Sequence, residues 1–130
     1  MLMKRGVDAS GVDPYLWYWL GRIEELHREW TGSELTVTSL RRPPSSQKSF
    51  HSPPKGVLVL AADLRRRRLD SVKKAEAFCR ELQRRHGAIL DVVLEPEWLT
   101  AAQIAARGGL KNIGPHIHVE TPVAVFETVD

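Results

Sequence analysis

The sequence is poor in cysteine and in long apolar runs, and each shortage excludes a class of protein. Cys79 is the single cysteine among 130 residues, which excludes internal disulfides and zinc sites built on paired thiolates. No apolar stretch approaches the roughly 18 residues that a transmembrane helix needs. The N-terminus also lacks the apolar core of a secretory signal. We therefore expect a protein that is cytoplasmic as synthesised and has no membrane span. Its metal ligands would have to be histidine and carboxylate.

The rest of the composition suits one globular domain. Hydrophobic residues make up 42% of the chain and charged residues 27%, which argues against a disordered or fibrous protein. A chain of this length can bury one self-sufficient core. Residues 1–12 show small residues and no periodicity, so we predict a flexible N-terminal arm followed by a single domain over residues 13–130.

Positive charge is concentrated in one segment of the chain. Between Leu64 and His86 there are nine basic and three acidic residues, a net charge of +6, whereas the remaining residues carry −3. Such a segment can attract nucleic acid, an anionic polymer or a membrane surface, or it can be a solvated helix face. The aromatic residues cluster in the first predicted helix instead of lying among the arginines. Stacking on nucleic-acid bases is therefore not expected.

The periodicity of apolar residues predicts an α+β fold, with a small and mostly antiparallel sheet flanked by helices. Steps of three and four residues predict a first helix between Pro14 and Gly32. A second amphipathic helix ends near His86 and places Cys79 on its apolar side. A short helix is expected at residues 101–107, strands at 35–40, 57–62, 89–94 and 116–120, an edge strand at 123–126, and a long proline-rich loop at 41–55.

Three residues in different parts of the chain could bind one metal ion. His116, His118 and Glu120 alternate along a predicted strand and therefore share one face, and paired imidazoles commonly bind zinc. Asp63 ends an apolar strand, which would place its carboxylate at the edge of the sheet. His51 lies in the proline-rich loop. His51, Asp63 and His118 together would supply two nitrogens and one oxygen and leave a fourth zinc position open, as in catalytic sites.

A wider pattern of residues surrounds these three positions. It consists of Thr38-Ser39-Leu40-Arg41, Ser49-Phe50-His51, Gly56, Ala61, Asp63 and His116-Ile117-His118. The pattern resembles the zinc D,D-peptidase family over about residues 35 to 120. That family comprises D-alanyl-D-alanine carboxypeptidases and phage peptidoglycan endopeptidases, related to lysostaphin-type enzymes and the hedgehog signalling domain. The resemblance implies a hedgehog/D,D-peptidase-like fold.

The resemblance also implies a ligand set. One zinc ion per chain would be bound by His51, Asp63 and His118, and Arg41 would face the substrate carbonyl. In the family the aspartate follows the first histidine by seven residues, whereas here it follows by twelve. An insertion in the loop accounts for the difference, because lengthening a surface loop costs little free energy.

The catalytic base departs from the family pattern as well. Many members carry an acidic residue three positions before the last ligand, where this chain has Pro115. We expect His116 to act as the base in its place, with Glu95 or Glu97 as the alternatives. Glu120, on the same strand face, is expected to orient one histidine as a hydrogen-bond acceptor.

The leading hypothesis is a zinc metallopeptidase that hydrolyses stem peptides or crosslinks of bacterial peptidoglycan, as a carboxypeptidase or an endopeptidase. We expect such a chain to be a lysis enzyme of a phage or prophage, or a fragment of a longer protein. Two alternatives stay open. One is a non-catalytic zinc-binding relative that serves as a binding module. The other is a basic nucleic-acid-binding domain that uses Arg65–Arg68 and the helix that follows.

Overall fold

A computed structural model describes residues 1–42 and 58–121, and in these ranges the chain folds into a five-stranded sheet with three α-helices. The elements are β1 (Leu2–Met3), α1 (Pro14–Thr31), β2 (Thr36–Ser39), β3 (Ala61–Leu64), α2 (Val72–His86), β4 (Asp91–Glu95), α3 (Ala101–Ala106) and β5 (His116–Glu120). Short 3-10 turns occur at Arg67–Leu69 and Leu110–Asn112. The predicted α+β class is confirmed. None of the helices in these ranges is long and apolar enough to cross a bilayer.

The sheet is mixed, which corrects the expectation of a mostly antiparallel sheet. Its strand order is β1-β2-β3-β5-β4; β1 pairs with β2 in parallel, and the other described pairs are antiparallel. The parallel pair forms because α1 crosses over between β1 and β2 and returns the chain in the same direction. A strand of two residues is too short to show alternation, so no sequence pattern predicts β1.

The first twelve residues, expected as a flexible arm, include this edge strand. The backbone N–H of Leu2 donates to the carbonyl of Leu35 at 2.8 Å, and that of Lys4 donates to the carbonyl of Val37 at 2.8 Å. Further along, the N–H of Asp13 donates to the carbonyl of Val59 at 3.0 Å. The segment is thus attached to the domain at several points.

One face of the sheet and the two long helices enclose the core. Alternation along each strand turns apolar side chains toward α1 and α2. The buried side chains include Leu16, Leu20, Ile23 and Leu26 of α1, Ala75, Phe78, Cys79 and Leu82 of α2, and Val37, Ala62, Leu64, Val92, Leu94, Ile117 and Val119 of the strands. The predicted burial of Cys79 is confirmed.

Local signals place the first helix where the sequence predicts it. The carboxylate of Asp13 accepts a hydrogen bond from the N–H of Tyr15 at 2.8 Å, and Pro14 occupies the first turn. At the other end Gly32 adopts a left-handed conformation, with φ of 69°, and its N–H donates to the carbonyl of Arg28.

The strand that carries Asp63 differs from its prediction. A strand ending at Asp63 was expected, but β3 continues through Leu64, and Asp63 pairs with Ser39 on one side and His118 on the other. Alternation directs Asp63 away from the core, to the second face of the sheet. We call this the polar face; it carries Asp63, Glu95, His116, His118 and Glu120. The carboxylate therefore lies within the sheet and not at its edge.

Candidate metal and acid–base site

Ionisable side chains cluster on the polar face where β3, β5 and β4 pair. Asp63 lies opposite His118, and Glu95 lies opposite His116 in the antiparallel register. Between the two histidines, Ile117 is fully buried on the core side. The predicted sharing of one face by the two imidazoles is thus present in the fold, because the strand alternates as expected.

Asp63 and His118 form the centre of this cluster. Asp63 is 4% exposed, and its Oδ1 accepts a hydrogen bond from Nδ1 of His118 at 2.9 Å. The Nε2 atom of the same imidazole lies 2.6 Å from Oε1 of Glu120. Burial lowers the pKa of His118, but the bonds to the two carboxylates outweigh burial and raise it to about 9. Each ring nitrogen is thus oriented by an acid.

His116 bridges this centre to a second carboxylate. Its Nδ1 donates to the carbonyl oxygen of Gly114 at 2.6 Å, which fixes the ring orientation. Its Nε2 then lies 3.4 Å from Oδ1 of Asp63 and 3.4 Å from Oε2 of Glu95. Burial lowers the pKa of His116, yet Glu95 and Asp63 more than offset that effect and raise it.

Glu95 is the acidic residue nearest to this imidazole. It is 3% exposed, ends β4 and forms an ion pair with Arg107, which follows α3. Burial raises the pKa of Glu95, but the bond to His116 and the neighbouring positive charges lower it overall. Of the two alternative bases named from the sequence, Glu97 instead binds Arg66. The structure therefore brings Glu95, and not Glu97, next to His116.

The two consecutive arginines after β2 have different environments. The Nε atom of Arg41 donates to the carbonyl oxygen of Ser10 at 2.8 Å, and a Cβ at Gly11 would collide with its guanidinium. The side chain of Arg42 instead forms an ion pair with Asp63. Arg41, predicted to face the substrate, thus lies against the N-terminal segment, while its neighbour lies at the site.

Asp63 and His118 fit two positions in the coordination shell of a zinc ion. Ligand atoms about 2.0–2.1 Å from a tetrahedral ion are roughly 3.3 Å apart, near the 2.9 Å that separates Oδ1 from Nδ1. Over residues 1–42 and 58–121 no three or more His, Cys, Asp or Glu form a group that could hold a metal. A third protein ligand would therefore come from outside these ranges. His51 lies there, so its predicted role as a ligand falls outside the described residues, as does the expected strand at 123–126.

A cavity of about 390 Å³ adjoins the cluster. His118 and Glu120 line one side of it, and residues 91–93 of β4 and Gln83 of α2 line the others. Such a volume is within the usual range for a small ligand or a short stretch of peptide. A bound molecule could therefore lie within reach of the His118 imidazole.

No protein-family model, no curated protein and no solved structure matches this chain. The resemblance to the zinc D,D-peptidases therefore depends on the motif residues alone.

Proposed function

We propose that this protein is a zinc-dependent peptidase that hydrolyses stem peptides or crosslinks of peptidoglycan. The observation that carries the proposal is the pairing of Asp63 and His118 at 2.9 Å on the polar face, with His116 beside them. Buried titratable groups with perturbed pKa values, next to a cavity, are typical of active sites. The resemblance of the motif residues to the zinc D,D-peptidases supports a peptidase as the kind of active site.

Three side chains would hold the zinc ion: Asp63, His118 and His51. When bound, the ion would supply a Lewis acid that polarises the scissile carbonyl and acidifies a water molecule. Glu120 accepts from the ring nitrogen of His118 that faces away from Asp63, as outer carboxylates do for metal-binding imidazoles. This orientation keeps the other nitrogen directed toward the aspartate.

His116 would transfer protons during the reaction. Its ring is held by the Gly114 carbonyl, so that Nε2 faces the cluster. Glu95 lies 3.4 Å from that nitrogen and would stabilise the imidazolium formed when His116 accepts a proton. This arrangement supplies a carboxylate–imidazole pair where the family pattern has a single acidic residue.

A guanidinium at the site would stabilise negative charge on the substrate carbonyl oxygen. Arg41 was the candidate from the motif, but the ion pair of Arg42 with Asp63 favours Arg42 for this role. Arg41 would then fasten the N-terminal segment through its bond to Ser10.

A second candidate function is a non-catalytic zinc-binding or partner-binding module. Within the described residues both ring nitrogens of His118 already face carboxylates, an arrangement that also suits a structural ion-pair network. Such a module would keep its fold and its partner but would cleave no peptide. The two functions differ in turnover on muropeptides.

The test combines metal analysis with an activity assay on purified muropeptides. Asp63→Ala, His118→Ala and His51→Ala should each lower zinc content well below one ion per chain. Glu29→Ala is the control, because Glu29 is an exposed acid on α1, outside the polar face and outside the lining of the cavity beside His118. Zinc that stays stoichiometric in all three variants would refute the ligand set.

His116→Ala separates the two functions. A peptidase should keep its zinc in this variant but lose turnover by about 10²- to 10⁴-fold, the usual contribution of a general acid or base. Stoichiometric zinc in the wild type without hydrolysis of any muropeptide would select the non-catalytic module.

A further inference from the structure

The basic residues between Leu64 and His86 fall into two groups by their partners. On α2, each arginine faces an acid of the same helix: Arg80 lies 2.8 Å from Glu76, and Arg84 and Arg85 lie 2.6 Å and 2.8 Å from Glu81. These pairs follow the three- and four-residue spacing that joins side chains on a helix. Each arginine of α2 therefore has an acidic partner on the same helix, although α2 keeps a net charge of +3.

The arginines between β3 and α2 behave differently. Arg66 turns inward and pairs with Glu97, but Arg65, Arg67 and Arg68 form no side-chain hydrogen bond or ion pair with any residue in the described ranges. Like charges that face one cavity repel one another, and none of these three guanidinium groups forms an ion pair with a described acid. An external anion would offset this repulsion.

The backbone that carries these three side chains is held in place. The N–H of Arg65 donates to the carbonyl of Thr36 at 2.9 Å, and the N–H of Leu69 donates to the carbonyl of Arg66 at 2.9 Å. Leu69, which closes the 3-10 turn, is fully buried in the core. The guanidinium groups therefore project from a fixed turn, which lowers the entropy lost when they bind a ligand.

Arg65, Arg67 and Arg68 line one cavity of about 360 Å³. The remaining wall comes from β1, β2 and the end of α1: Leu2, His27, Ser33, Glu34 and Thr36. Glu34 is the acid in this wall, and it already pairs with Arg28 at 3.0 Å. Leu2, 53% exposed, adds an apolar surface.

We propose that this cavity binds the phosphate group of a small phosphorylated ligand. Guanidinium groups bind phosphate oxygens through paired, charge-assisted hydrogen bonds, and three of them suit a phosphate or diphosphate ester. The apolar side chain of Leu2 would contact the organic part of the ligand. This site is distinct from the histidine cluster and does not depend on the proposed peptidase activity.

A small ligand is favoured over nucleic acid by the residues around the cavity. Among the described residues its lining contains no tryptophan, tyrosine or phenylalanine, and its one imidazole, His27, is only 1% exposed, so no exposed aromatic ring there can stack on successive bases. The experiment below therefore includes nucleic acid as the competing ligand.

The experiment is a titration of the whole protein with inorganic pyrophosphate, followed by calorimetry and amide NMR. We expect saturable binding that shifts amides near Thr36 and Arg65–Leu69. The triple variant R65Q/R67Q/R68Q should bind at least about tenfold more weakly, since bonds to charged groups are lost. The control R80Q/R84Q/R85Q removes the same charge from α2 and should bind within about twofold of the wild type.

Several results would overturn the proposal. Absence of saturable pyrophosphate binding by the wild type would do so, as would equal weakening in both triple variants, which would indicate a net-charge effect. A single-stranded oligonucleotide or a phosphatidic acid vesicle that binds and is not displaced by pyrophosphate would show a different ligand class. His118→Ala, which removes a proposed zinc ligand, should leave pyrophosphate binding unchanged, so failure of one proposal is distinguishable from failure of the other.

Discussion

Acidification should destabilise the protein through His27, a histidine far in sequence from the candidate site. His27 lies on α1 and is 1% exposed. Its Nδ1 donates to the carbonyl of Ser33 at 2.9 Å, whereas its buried Nε2 has no partner among the described residues. The ring packs against Phe78, with 6.0 Å between ring centroids. A proton on Nε2 would therefore place a charged donor without a hydrogen-bond partner in the protein interior.

The sign and size of the effect follow from this geometry. Burial lowers the pKa of His27 below 6.5 in the folded state, and the bond to Ser33 offsets this only in part. The unfolded chain then binds more protons, so the stability from His27 is complete above about pH 6.5 and is lost as the pH falls further. An unsatisfied buried donor costs about 1–3 kcal/mol, which corresponds to a melting temperature lower by roughly 3–10 °C for a domain of this size.

Urea unfolding between about pH 7.5 and 5 tests this prediction, since a histidine titrates in that range. His27→Gln keeps a donor for the Ser33 carbonyl but does not titrate, so it should lose less stability on acidification than the wild type. His116 and His118, whose pKa values are raised, contribute the opposite trend to both proteins and cancel in the comparison. His86→Gln serves as the control. The pKa of His86 is also lowered by burial and by nearby arginines, but its ring is half-buried and should contribute less. Equal acid sensitivity of the wild type and His27→Gln, or a His27 NMR titration at or above pH 6.5, would refute the reasoning.

Three further predictions concern other parts of the molecule. Burial raises the pKa of the Cys79 thiol to about 12, so a thiol reagent should label it only after unfolding, and fast labelling of the native protein would contradict this. Glu97→Ala should lower the free energy of unfolding by about 1–3 kcal/mol, because the side chain of Arg66 is only 11% exposed and loses its carboxylate; an unchanged urea midpoint would argue against it. If the peptidase proposal holds, Arg42→Gln should reduce turnover about 10²- to 10³-fold, whereas Arg41→Gln should change it little. The reverse order would return the role to Arg41.

Sequence patterns predicted those elements whose signals are local. Asp13-Pro14 and Gly32 bound the first helix because capping depends on neighbouring residues. Thr100 begins α3 with a capping box completed by Gln103. β1 was missed because its two residues gain strand geometry from β2 alone. The end of β3 was misplaced because an acid in an apolar run resembles a strand boundary, although tertiary pairing continues through it.

In the candidate site, too, sequence patterns predicted the residues with local signals and missed the contacts that depend on tertiary pairing. The two polar residues that sequence singled out on paired strands, Asp63 and His118, lie in contact. Glu95 was only one of two alternatives, since its approach to His116 depends on the register of β4 against β5, which no local pattern encodes. Arg42 was passed over for its neighbour because the motif counts residues from a strand end and does not fix which side chain turns toward Asp63.

Burying the charged side chains of the polar face costs free energy, and this cost is an independent reason to regard the face as functional. Asp63 and Glu95 are both almost fully buried, and each charge must be compensated by histidine and arginine partners. Buried ion pairs of this kind contribute little net stability, because desolvation offsets most of the attraction, and apolar side chains of similar size often serve as well. The opposite face of the same strands shows that apolar residues pack well on this sheet. Stability alone therefore does not explain why two buried acids and two histidines occupy adjacent positions, and buried titratable groups in contact are typical of functional sites.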